Sequence, residues 1–219
     1  MQMKRLFMLG TLTLTMLSTF AQSDKARTIN YTIKSGLTFS KFNYQNQSDG
    51  TTTKGNTGFY VSALANLPVK KMVTIQSGLT LIGKGNNAVL ANTYIEYTDL
   101  LYLEIPVNLL AEFKTGPGKI LVGAGPYLGI GIDGGILKKT YETTTTPSTS
   151  TSTDIRFNNS PGEYKTLDFG LNFSLGYRLD SGLGINAGYS LGMVDIYNSS
   201  TTNQSMRNSG FSAGLSFTF

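Results

Sequence analysis

From residue 31 to the C-terminus, apolar residues alternate with polar or small ones at a period of two, the signature of strands with two chemically different faces. Eight segments carry the pattern, at 31–39, 58–67, 73–81, 101–112, 120–132, 167–178, 183–192 and 210–219. In the first, Tyr31, Ile33, Leu37 and Phe39 oppose Thr32, Lys34, Gly36 and Thr38. In the last, Phe211, Ala213, Leu215, Phe217 and Phe219 oppose Gly210, Ser212, Gly214, Ser216 and Thr218. Helical spacing is almost absent, and beyond the N-terminal segment no run approaches the ~18 apolar residues of a membrane-spanning helix.

The connections alternate as well. Those at 44–56, 84–93, 133–163 and 194–207 are long and polar, while those at 68–71, 114–119 and 180–182 are tight. Such regularity follows when one rim of a barrel faces the periplasm and the other the cell exterior. Glycine decides which face is outside. Most strand glycines share the polar side, and an eight-stranded barrel has an interior barely wide enough for its side chains. The crowded inner side therefore takes Gly and Ser, and the Leu, Ile, Val and Phe side points outward. In water that exterior would drive aggregation; in lipid it is required, and closure satisfies every backbone group. The expected fold is all-β: an eight-stranded antiparallel up-and-down transmembrane β-barrel with short periplasmic turns and long extracellular loops.

The N-terminus reads as an export signal. Lys4 and Arg5 precede an apolar stretch at 6–17, and Thr19-Phe20-Ala21 suits cleavage. The expected division is a cleaved signal peptide, 1–21, and a barrel domain, 22–219. Losing Lys4 and Arg5 lowers the formal net charge from +5 to +3. The expected localisation is the cell outer membrane. At the other end, the last strand finishes on Phe217 and Phe219, a pattern expected to serve as a C-terminal signal to the barrel assembly machinery.

Composition narrows the chemistry. The chain has 25 Gly, 12 Tyr and 12 Phe but no Cys and no His, and only 14% charged residues. Without Cys and His there are no disulfides or zinc-thiolate sites, and the commonest general base and metal ligand are missing. No catalytic, cofactor or metal site is expected. The cations are scattered, so nucleic acid is not an expected partner. The glycines of 123–135 alternate within a strand rather than opening a helix, which excludes a dinucleotide loop.

Three motifs point to a family. Tyr102-Leu103-Glu104-Ile105-Pro106-Val107, the run Gly123-Ala124-Gly125-Pro126-Tyr127-Leu128-Gly129, and Asp168-Phe169-Gly170-Leu171-Asn172 with Gly176-Tyr177-Arg178 resemble the PorT-like outer-membrane β-barrel family of Bacteroidetes. The resemblance spans nearly the whole mature chain. It implies fold and membrane but no particular task, because the family's members differ in role.

Four ionisable residues fall on the inward face: Lys34, Glu104, Asp168 and Arg178. Buried charges persist when paired, so a network bracing opposite walls is expected; the alternative is a polar lumen that conducts or gates small solutes. Glu112 shares their parity near a tight turn. Tyr102 and Tyr127 are expected to fill the lumen. The connection 133–163 carries Thr/Ser tracts at 143–146 and 148–153 and reads as a mobile hydrophilic loop, with or without a recognition role. The function expected is non-enzymatic, structural or surface-binding through extracellular loops. A narrow pore, or an accessory of a transport or secretion complex, is the alternative. Outer-membrane lipid, the assembly machinery and an unidentified extracellular ligand or envelope protein are the expected partners.

Overall fold

The computed structural model describes residues 28–45, 51–90, 94–143, 146–158, 160, 162–198 and 205–219. The expected signal peptide and its cleavage site lie outside these residues. Within them the alternating segments form β1 (Asn30–Gln45), β2 (Thr51–Lys70), β3 (Val73–Leu90), β4 (Tyr94–Thr115), β5 (Gly118–Thr143), β6 (Thr146–Asp154), β7 (Leu167–Leu179), β8 (Leu183–Gly192) and β9 (Ser205–Thr218).

All ladders between these strands are antiparallel, and eight of the strands close a ring in the order β1-β2-β3-β4-β5-β7-β8-β9. The closing ladder joins β1 to β9 from Thr32↔Thr218 to Gln45↔Ser205. Its lower end is tied by backbone hydrogen bonds in both directions between Tyr31 and Phe219, at 3.1 and 3.0 Å. The tight turns lie at this same end. Two of them use glycines with positive φ, Gly116 at 57° and Gly182 at 92°, backbone that other residues adopt only with strain. Between β3 and β4 the ladder skips from Ser77↔Val107 to Thr80↔Glu104, leaving Pro106, which has no N–H to give, without a β3 partner.

The apolar side faces outward on every ring strand: Phe211 is 64% exposed, Ile185 62% and Leu215 59%. These residues form the belt that meets lipid. Inside, Tyr102 and Tyr127 are 0% and 1% exposed. Glycine makes room for such rings. A Cβ on Gly170 would stand 2.7 Å from the Tyr127 ring, and one on Gly131 would collide with Phe157.

The connection 133–163 departs from the expected loop. β5 runs on to Thr143, and β6 pairs back against it from Thr143↔Thr146 to Gly135↔Asp154. The β-branched threonines that looked like low complexity are good strand formers. β6 pairs with β5 alone, so this hairpin stands above the ring. The connections at 44–56 and 84–93 shorten for a related reason. β2 and β3 pair from Thr51↔Leu90 to Gly55↔Asn86, because ladders continue where lipid no longer demands an apolar face.

Candidate functional site

The lumen is filled at three levels. At the middle level, Lys84 of β3 reaches Glu104 Oε1 of β4 at 2.6 Å and Asp168 Oδ2 of β7 at 2.9 Å. Asp168 Oδ2 also accepts from Asn208 Nδ2 of β9 at 2.8 Å and from the Tyr127 hydroxyl of β5 at 3.2 Å. The Lys84 ammonium lies 4.4 Å from the Tyr127 ring centre and 5.2 Å from that of Tyr102. Lys84, Glu104 and Asp168 are all buried. One cation thus answers two carboxylates, and the cluster ties together strands from opposite sides of the ring.

Below it lies a polar chamber of about 90 Å³, bordered by Lys34, Tyr60, Ser62, Thr80, Glu104 and Asn186 among others. Lys34 Nζ donates to Gln76 Oε1 at 2.9 Å, Gln76 Nε2 donates to Asn66 Oδ1 at 2.6 Å, and Asn66 Nδ2 donates to the Thr32 hydroxyl at 2.7 Å. At the periplasmic mouth, Glu112 Oε2 receives Arg178 Nη2 at 2.9 Å and Lys119 Nζ at 3.0 Å, while Thr74 donates to Oε1 at 2.8 Å.

The four inward charges therefore do not make one network. Glu104 and Asp168 come together, but through Lys84; Lys34 and Arg178 belong to separate groups nearer the periplasm. Lys84 stands at the start of the expected connection 84–93, and Ile82 interrupts the polar run Thr74, Gln76, Gly78, Thr80 just before it. Carrying the even positions two steps further is the signal that finds it.

The outer mouth is closed by different chemistry. Segments 155–166 and 193–198 cross it, joined by Lys165 N to Ile196 O at 2.8 Å and Asn198 N to Glu163 O at 3.0 Å. Phe42, Ile82, Leu100, Tyr102, Tyr164 and Ile196 form a buried apolar cluster there, with Ile155, Phe157 and Tyr197 against it. Ring centres step from Tyr102 to Phe157 at 5.6 Å, to Tyr164 at 6.5 Å and to Tyr197 at 5.4 Å. Burial pushes the Tyr164 phenol above its ordinary pKa. Isolated apolar residues in otherwise polar connections were the sequence signal for this cap. Among the described residues, no group of three or more His, Cys, Asp or Glu is placed to hold a metal.

A closed antiparallel ring with an apolar exterior and a filled polar interior is an outer-membrane β-barrel. The chain belongs to the family described as outer membrane protein beta-barrel domain, whose profile matches residues 20–198, and its place is the outer membrane. No curated protein matches it by sequence. Among solved structures, it is similar to Ail, the attachment invasion locus protein of Yersinia pestis, with 11% identity, coverage of 87% of this chain and 98% of that one, and TM-score 0.44. OprG of Pseudomonas aeruginosa gives 11% identity, 87% and 95% coverage and TM-score 0.48. Neisserial surface protein A gives 15%, 86% and 97%, and 0.43. The fold assigned to this chain stands on its own strand pairing.

Proposed function

We propose that this protein is a non-enzymatic barrel with a sealed lumen, whose working surface is its extracellular rim. The observation that carries the reading is the middle plug: Lys84, Glu104 and Asp168, packed against Tyr102 and Tyr127, occupy the cross-section where a conduction path would run. What projects beyond the belt is the β5–β6 hairpin and the cap, a surface suited to an extracellular ligand or envelope protein. Kinship with the PorT-like barrels of Bacteroidetes is part of the proposal, as are cleavage after Ala21 and reading of Phe217 and Phe219 by the assembly machinery. Both of these phenylalanines point outward, at 48% and 63% exposure.

The polar chamber around Lys34 favours a second reading, a narrow pore or transport accessory that opens by displacing the plug. Planar-bilayer recording separates the two. The purified barrel is expected to give no discrete conductance; current steps whose size changes on Glu104→Gln would overturn the sealed-lumen reading and favour the pore.

A further inference from the structure

The outer face of β1, β9 and β8 changes chemistry within one step of the ladder. Phe39 pairs with Phe211 and Phe211 with Tyr189, so three aromatic residues lie side by side on adjacent strands. The Tyr189 and Phe211 rings are 4.8 Å apart. At the next outward position towards the cell exterior, Lys41 pairs with Ser209, and at the one after, Asn43 pairs with Arg207. Paired residues of an antiparallel ladder share a face. Lys41 and Arg207 therefore stand on the lipid side of the wall, just above the aromatic row.

The wall is indented here. Phe39, Lys41, Gly55, Ser209, Phe211 and Tyr189 border a hollow of about 440 Å³, to which Gly55 presents only backbone, since it pairs with the inward Asn86. Lys41 is exposed. Among the described residues neither Lys41 nor Arg207 has a carboxylate partner. Among the described residues the buried Nε of Arg207 has no hydrogen-bond acceptor.

We propose that this hollow seats the phosphorylated headgroup of an outer-leaflet lipid. Phosphate oxygens accept hydrogen bonds from the Lys41 ammonium and the Arg207 guanidinium, whose planar fork suits phosphate. The acyl chains run down over Phe39, Phe211 and Tyr189, at the height where aromatic residues meet the membrane interface. Two features select a lipid over a free anion: the cations face the membrane rather than the lumen, and the floor of the hollow is aromatic. The proposal holds whether or not the lumen conducts.

The test uses the full barrel in phosphatidylcholine nanodiscs, titrated with diphosphorylated lipid A and read by native mass spectrometry. Lys41→Gln and Arg207→Gln are each expected to weaken retention about five-fold, and together roughly 25-fold, at ~1 kcal/mol per cation near the membrane surface. The same lipid stripped of phosphate should bind wild type and variants equally weakly. Lys70→Gln with Lys71→Gln, exposed at the opposite end, should change nothing. Heat-modifiable gel mobility verifies that each variant is folded. Retention by the double variant equal to wild type, an equal loss in the Lys70/Lys71 control, or displacement of the lipid by millimolar inorganic phosphate would each overturn the assignment.

Discussion

The barrel is stoppered twice along one axis, by opposite chemistries. At the level of the belt, the inward positions hold Lys84, Glu104, Asp168 and their hydrogen-bonding neighbours; against them on the outer side, inward positions hold Phe42 of β1, Leu100 of β4 and Met206 of β9, the two chemistries meeting where Lys84 pairs with Leu100 and Asn208 with Phe42. On β1 the exchange takes three residues. Phe39 is outward and apolar, Lys41 is outward and charged, and Phe42 is inward and 3% exposed. Strand geometry does not change there; the solvent outside does. Where lipid surrounds the wall, apolar side chains gain by pointing out and the interior must satisfy polar groups among themselves. Where water surrounds it, the ordinary rule returns and the interior becomes an apolar core. On β1 the outward change from Phe39 to Lys41 lies at the outer end of the apolar belt.

The difference predicts unequal sensitivity. Lys84→Met strands Glu104 and Asp168 in a buried site without a counter-ion, and removing one partner of a buried ion pair costs about 3–5 kcal/mol. Urea unfolding of the barrel in lipid vesicles, followed by gel mobility, should show the largest loss of any single change; an unchanged midpoint would mean that the plug does not brace the walls. Gly170→Ala comes next. Its Cβ would meet both the Leu191 carbonyl and the Tyr127 ring, and overpacking of this kind costs about 1–3 kcal/mol. Pairing it with Tyr127→Leu should recover part of that loss, since only the ring can yield. Phe157→Ala has the smallest effect on the barrel. It should leave the unfolding midpoint in place while speeding protease cleavage within 155–166, because the cap opens locally without unfolding the ring. A large fall in the midpoint would show instead that cap and ring are one cooperative unit.

Most of the ring was legible because lipid imposes a period of two that nothing else in the sequence obscures. Leu167 to Arg178 reads as a strand from its letters alone. Above the belt the same strands carried a weaker signal: Thr51 to Gly55 and the threonines of β6 pair as strands, yet their outward side is polar, so no contrast between faces announced them. The interior site suffered from the same cause. Glu104 and Asp168 were found because each sits among apolar outward neighbours. Lys84 is hidden from the alternation because Ile82, an inward apolar residue one step nearer the periplasm, breaks the polar run just before it. The apolar residues of the cap, Ile155, Phe157, Tyr164 and Ile196, were visible in the sequence, but only the crossing of two connections brings them together.

The β1–β9 ladder is the contact on which closure of the ring depends. Every other ladder of the ring joins strands that are close in the chain. The pair Thr32 and Thr218 joins the two ends of the described chain. Without β9 the sheet would have two open edges, on β1 and β8, each a row of unpaired backbone groups ready to capture another strand. A sheet lacking β9 is therefore not a smaller barrel but an adhesive sheet, and one strand, pairing on both its sides, removes both edges.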